Sequence, residues 1–497
     1  MSVQRLFGAG HPPALAPAAP RTPSTVWPQV LYWLLVLGLI AVHAGGPVRL
    51  VYLAGGLAVG WRLLQTSPAA YVGFVFWLWV LTAFVRRVAD LYASWQDPSM
   101  ILLTPYLVTT LWLGPYIWRV LQGRARSSTR LRNLDLFVLA AMGVAVGVPF
   151  GFLADPFMAL LETLNYVTPL LLGWYVVTQA HQVREIERQI VTTFRYAALV
   201  TGGYGIYQFT TAPPWDALWM INTEMGSIGK PEPFVLRVFS TMHSPGVLAP
   251  FLVVAMVLLV AKPRVRDLPV AGLAGVTMLL SQVRAAWMGL VIGAMFVVAS
   301  LKPAQKLRVG LALGLTVLLA GPLLVTPEMT DVFNTRMETF QDLEGDTSWR
   351  ARITGLSLAL DFITRHPLGV GIGQFDETIS RYVSSRDSTI VSSLVQFGVL
   401  GSASYFFALW LVAVQVWKYY RRGASAESTA LACGGLGLLS LTPLGVPTAG
   451  PTGMCFWLIT GLAVADRQLA RARETRAVVV APHAPRSPAA QGHPATT

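Results

Sequence analysis

The chain is poor in charge. Acidic and basic residues make up 12% of its 497 positions, whereas a soluble domain carries about 25%. An ordinary water-soluble globule is thereby excluded. Cysteine is nearly absent: Cys433 and Cys455 both sit in apolar runs. They offer no disulfide framework and no metal-ligand spacing. Lysine is confined to Lys230, Lys262, Lys302, Lys306 and Lys418, beside many arginines. No clean signal peptide opens the chain. Gly8–Pro28 is rich in Pro and Ala, and the apolar run after it lacks a cleavage site. No internal repeat is visible.

What the chain has is apolar sequence, 54% of its residues. The runs predict an all-α integral membrane protein with roughly fourteen transmembrane helices. Candidate spans include Met100–Val120, Leu134–Ala154, Leu160–Gln179, Pro245–Ala261, Leu268–Ser281, Ala285–Leu301, Val309–Thr326, Val391–Val416, Thr429–Val446 and Thr452–Ala465. Residues 1–28 read as a disordered tail, 29–326 as the first and larger set of spans, and 327–388 as one large loop. Residues 389–466 read as the last spans and 467–497 as a basic, Pro/Ala-rich tail.

Net charge is +13, but it argues against nucleic acid. The basic residues fall in short clusters between apolar runs, at Arg119–Arg132, Arg184–Arg195, Lys262–Arg266, Lys302–Arg308, Lys418–Arg422 and Arg467–Arg476. All can lie inside if both termini are cytoplasmic, as the positive-inside tendency expects. The opposite side then receives Arg86, Arg87, Asp90, Arg237, His243, Arg284, Arg336, Arg350 and Arg352. Outer arginines break the tendency, and a phosphate or pyrophosphate partner would favour them.

Thr326–Asp387 is the only long polar stretch. Asp346, Thr347 and Ser348 are helix-capping types, and Ile353, Leu356, Leu360 and Ile363 recur at helical spacing. Pro367 should stop that helix. Gly369, Gly371 and Gly373 then permit close backbone approach, to a span or to a substrate.

Four motifs resemble the O-antigen ligase and Wzy-type polymerase superfamily. They are FSTMHSPGVLAPF at Phe239–Phe251, SQVRAAWMGLVIG at Ser281–Gly293, SWRARITGLSLALDFITRHPLGVGIGQF at Ser348–Phe375, and LVQFGVLG at Leu394–Gly401. FSTMHSPG is most similar to the exopolysaccharide polymerase branch. The resemblance implies a metal-independent, inverting glycosyltransferase of GT-C-like fold in the bacterial inner membrane. It implies an undecaprenyl-pyrophosphate-linked glycan as substrate, the bilayer as surroundings, and flippase and chain-length or co-polymerase proteins as partners. No cofactor is expected. Arg284 and Arg352 match the family's motif arginines and would hold the pyrophosphate. Arg336, Arg350, Arg237, Arg86, Arg87, Asp90 and His366 are candidate substrate contacts.

Two departures bear on mechanism. Leu356 stands where the loop motif has Trp. Asp387 and Ser388 stand where a ligase has His-Asn, with Gln396 in place of the following Glu. The general base is therefore open among His243, Asp387, Asp90 and Asp376. Blander readings stand beside these roles. Arg284 could snorkel to the interface; Arg352 could pair with Asp361 or Glu344; His366 could end a helix and His243 begin one. Arg86 and Arg87 could anchor a span. Ligation to an acceptor and lipid-linked sugar transport are the competing functions. Transport would place ionisable groups near mid-span, whereas here they lie mostly at span ends and in the loop.

Overall fold

Apolar runs of this length become helices because lipid offers the backbone no hydrogen-bond partner. The computed structural model of the chain describes residues 23–122, 135–223, 228–261, 264–311, 314, 347–384 and 387–480. Among these there are helices and no strand. Four helical segments are long and apolar enough to cross a membrane: Pro68–Tyr92, Met100–Leu121, Asp135–Ala154 and Thr389–Arg422. Shorter apolar helices accompany them, and the chain is a multi-pass membrane protein. Arg336 and most of the span expected at Val309–Thr326 lie outside the described residues.

The described residues form two units. The first contains α1 (Pro23–Ala41), α2 (Gly45–Thr66), α3 (Pro68–Tyr92), α4 (Leu103–Thr110) and α5 (Leu113–Leu121). The span expected at Met100–Val120 is thus two helices that meet near Leu111 and Trp112. The same unit holds α8 (Val183–Thr211), α9 (Pro214–Thr223), α10 (Pro245–Ala261), α11 (Leu268–Leu280) and α12 (Arg284–Ser300). The connection from α2 to α3 is short because Ser67 caps α3 by accepting from Ala70 N–H, with Pro68 at the first turn. Helix α8 is held by a side-chain hydrogen bond and a ring stack. Gly202 O accepts from Thr277 Oγ1 on α11 at 2.8 Å, and Phe194 stacks on Phe251 of α10 at 5.1 Å.

The second unit holds α6 (Asp135–Ala154), α7 (Pro156–Thr178), α13 (Thr347–Arg365, which starts in the first unit), α14 (Glu377–Ser380), α15 (Thr389–Arg422), α16 (Ala426–Leu439) and α17 (Gly450–Val480). Its closest pairs are α6 with α15 and α7 with α17. Glycines set those approaches: a Cβ on Gly143 would lie 2.6 Å from Gly401 O, and one on Gly173 would lie 2.5 Å from Trp457 O. Small residues let helix backbones meet where apolar burial supplies no driving force between spans. Helix α17 runs on through the basic stretch after Ala465, which was expected to be a tail.

Helix α13 appears where the capping residues and Pro367 predict it. Its buried face follows the predicted stripe only in part, because Leu356 and Ile363 pack against the buried cluster. Ile353 and Leu360 are about half exposed, whereas Ala359 and Phe362 are buried. Gly355 explains the rotation, since a Cβ there would sit 1.9 Å from Val383 Cγ2. The helix turns its small face inward, and Ala359 and Phe362 join Ile379, Val391, Leu394 and Val395 in one apolar cluster.

Gly371 has φ +103°, and a Cβ there would lie 2.2 Å from Gly151 N on α6. Gly371→Val should therefore cost about 1–3 kcal/mol or more through overpacking and strain. The check is the thermal unfolding midpoint of detergent-solubilised protein, with Gly246→Ala, at an open position, as control.

Candidate functional site

Helix α15 is broken at Gly398, whose φ and ψ are 62° and −166°. In an unbroken helix Val399 N–H would donate to Val395 O. Here Val399 N–H donates to Pro367 O at 2.8 Å, and Val395 O accepts from Val370 N–H at 2.9 Å. The run Pro367–Gly373 is thereby threaded into the break. It continues across the bundle: Ile372 N–H donates to Gly147 O of α6 at 2.9 Å. Gly373 N–H donates to Gln396 Oε1 at 3.0 Å, and a Cβ on Gly373 would lie 2.8 Å from Met158 O of α7. The three motif glycines thus approach helices α6, α7 and α15. Non-helical backbone between spans persists only where protein or a water-filled cavity satisfies it, and here hydrogen bonds with α6 and α15 do.

Gln396 is 1% exposed, and its Nε2 has no hydrogen-bond partner. At this position an ionised glutamate would carry a buried charge; the amide accepts from Gly373 without one. Asp387 and Ser388 lie just upstream. Asp387 accepts from Ser384 N–H at 2.9 Å, and Ser388 caps α15 by accepting from Val391 N–H. Asp376 caps α14 through Thr378 and Ile379 N–H at 2.9 and 3.0 Å. His366 is exposed at the end of α13, its ring stacked on Phe362 at 4.6 Å. Arg352 lies half-buried on α13, and Arg350 is exposed in that helix's first turn. Asp361 is paired with Arg365.

In the first unit the segment FSTMHSPG is held as a folded wedge before α10. Arg87 donates to Met242 O at 2.7 Å and to Ser240 O, and its guanidinium lies 4.9 Å above the Phe239 ring. Asp216 pairs with Arg87 Nε at 2.6 Å. The same carboxylate accepts from Tyr204 and Gln208, each at 2.7 Å. Gln208 Oε1 in turn accepts from Phe239 and Ser240 N–H at 3.0 and 2.8 Å. Ser240 tolerates φ +52° because this net surrounds it.

Arg87 is 1% exposed, so it clamps this segment and is not an open substrate contact. Asp90, 2% exposed, pairs with Arg49 at 2.7 Å and with Arg86 at 3.2 Å. Arg86 also donates to Gln96 O at 2.8 Å and lies 4.8 Å above the Trp95 ring. Arg86, Arg87 and Asp90, expected as candidate substrate contacts, are here engaged by buried ion pairs and backbone carbonyls. Asp216, Gln208, Tyr204 and Arg49 were missed. The available signal was Asp216, an acid between tryptophans in PWDALW.

Arg237 donates to Ser281 O at 3.2 Å and to Gln282 O at 3.5 Å. Val238 N–H donates to Leu280 O at 3.1 Å. The two motif segments are thus tied together, and Arg237 braces the turn in which Gln282 has φ +56°. Arg284 follows as the first, half-buried residue of α12. His243 belongs to the FSTMHSPG segment. Burial, then the charges of Arg87 and Arg86, push its imidazole down to about 3. Among the described residues no group of three or more His, Cys, Asp or Glu gathers as metal ligands would.

Residues 269–406 match the family model described as O-Antigen ligase. The matched segment resembles that family and makes up less than a third of the chain. It includes α11, the Arg284 turn, α13, the threaded glycine run and the break in α15. No curated protein matches the chain.

Removing Arg87's charge while keeping its bulk, as in Arg87→Met, would leave Asp216 buried and unpaired. Loss of one partner of a buried pair costs about 3–5 kcal/mol. A lower unfolding midpoint and less folded protein in the membrane fraction are expected, and a wild-type midpoint would refute the clamp.

His243 gives a pH test. Its folded pKa is below the unfolded value near 6.5, so protonation favours the unfolded chain. The contribution to stability is complete above about pH 6.5 and is lost as pH falls toward 3. Midpoints measured between pH 4 and 8 should fall less steeply at the acid end for His243→Gln than for wild type.

Proposed function

We propose that the chain polymerises undecaprenyl-pyrophosphate-linked oligosaccharide repeat units into exopolysaccharide at the outer face of a bacterial inner membrane, with both termini cytoplasmic. The reaction is an inverting glycosyl transfer. The acceptor hydroxyl attacks the anomeric carbon, and the lipid pyrophosphate leaves with the bonding pair. Arginine suits that leaving group, because its planar, permanently charged fork pairs with phosphate oxygens as their charge grows. Arg284 is the first candidate for this role, and Arg352, also in the matched segment, is the second candidate.

The observation that supports polymerisation over ligation is the Asp387–Ser388 pair just before α15. Where a ligase would place His-Asn, Asp387 accepts from Ser384 N–H and Ser388 from Val391 N–H. Both side chains serve the backbone. His243 also suits the base poorly, since an imidazole pushed down to about 3 accepts protons weakly at neutral pH. The family description, O-Antigen ligase, favours transfer of a finished lipid-linked glycan to an acceptor as the second reading.

Deleting the gene and analysing lipid-linked intermediates separates the readings. Single repeat units exposed on the outer leaflet should accumulate. Long lipid-linked chains would mean ligation, and repeat units retained on the cytoplasmic leaflet would mean transport. Complementation with Arg284→Ala, at normal protein level, should restore little or no polymer; full restoration would remove Arg284 from the mechanism.

A further inference from the structure

Three charged side chains are committed to the short link after α3, residues 93–99. Arg49 of α2 donates to Asp90 Oδ1 at 2.7 Å and to Ser94 O. Arg86 of α3 donates to the other oxygen of Asp90 at 3.2 Å and to Gln96 O at 2.8 Å. One carboxylate thus orients two guanidiniums, and these hold the carbonyls on either side of Trp95. The Trp95 ring is fixed as well, by the Arg86 guanidinium 4.8 Å from its centre. Trp95 is nevertheless only half-buried, and Asp97, two residues on, keeps a side chain 67% exposed.

The turn before α2 lies at the same end of the unit. A Cβ on Gly45 would lie 2.5 Å from Ala89 O and 3.0 Å from Ala93 N, so the turn is packed against the end of α3. There His43, exposed and with φ +57°, stacks on half-buried Tyr92 at 4.1 Å and 22°. Arg87, next to Arg86, clamps the FSTMHSPG wedge at this end too. In the orientation that the basic clusters predict, this end faces outward.

A buried ion pair is weak evidence for stability, so the charges are better explained by what they present. A sugar ring has an apolar C–H face and a rim of hydroxyls. The negative face of an aromatic ring meets the first, and a carboxylate or imidazole accepts from the second. A tryptophan held in place offers that face at little entropic cost.

We propose that Trp95 and Asp97, with the His43–Tyr92 pair at the same end, form a subsite for the sugar rings of the substrate. The assignment rests on the reading of the chain as a glycan transferase. Trp95 takes the face of a sugar ring and Asp97 accepts from its hydroxyls. Arg49, Arg86 and Asp90 are positioning residues for the link.

Two measurements test it. In the first, the full chain in detergent is mixed with oligosaccharides cut by partial acid hydrolysis from the parent strain's surface polysaccharide. Saturation-transfer NMR then reports contact between protein and sugar. Wild type and Trp95→Phe, which keeps an aromatic face, should transfer to sugar C–H protons. In Trp95→Ala the Kd should rise roughly tenfold. Aromatic residues at a membrane boundary also anchor spans; an anchor alone would shift the unfolding midpoint and leave the Kd unchanged. Asp97→Asn, at an exposed position, should weaken binding at a wild-type midpoint. No transfer in wild type would overturn the subsite. So would an unchanged Kd in Trp95→Ala or, where that variant does not fold, in Asp97→Asn.

In the second, membranes containing the full chain are supplied with lipid-linked repeat units from the deletion strain. For Trp95→Ala the half-saturating concentration should rise by a larger factor than the maximal rate falls; the reverse would overturn a binding role. Wild-type protein that binds the oligosaccharide while its membranes form no polymer would overturn the polymerase reading and leave the subsite standing.

Discussion

One exchanged hydrogen bond organises the second unit. Helix α15 gives up the bond from Val399 N–H to Val395 O, and the inserted segment Pro367–Val370 satisfies both groups. A break in a membrane helix is tolerated when other groups meet its freed donors and acceptors. Here the partner is backbone from the same chain, so the break and the motif run form together. The Gly398 conformation, the three left-handed glycines of the run and the glycines of α6 are consequences of that single arrangement.

The first unit reaches the same end by charge. Its FSTMHSPG wedge has no regular structure to satisfy its carbonyls, and Arg87 supplies the donors. A buried guanidinium needs a counter-charge, which Asp216 provides, and Tyr204 and Gln208 occupy the remaining acceptor capacity. The net is useful because it is rigid: it fixes a loop at the end of a span where flexible backbone would leave polar groups unpaired. Arg87 is thus engaged inside the unit by buried partners.

Much of the candidate site was legible in the sequence. The spacing of Gly369, Gly371 and Gly373 announced close backbone approach, and Pro367 marked the end of α13. The motif match at Ser348–Phe375 falls inside the segment that resembles the O-antigen ligase model. Other features were not legible. Periodicity placed Ile353 and Leu360 in the buried stripe, but Gly355 and Ala359 let a different face approach Val383 and α15. Hydropathy counts apolar side chains and does not register which face is small enough to pack.

The sequence by itself determined the helical, membrane-spanning class, the placement of most helices, and the motif arginines. These follow from local chemistry: apolar length, caps, proline stops and charge at span ends. Only the tertiary structure decided which charges are spent. Arg87 meets Asp216 and Asp90 meets Arg49, partners remote in sequence. Whether a charge is a clamp or a reagent depends on what stands next to it in space, and linear spacing carries no such information.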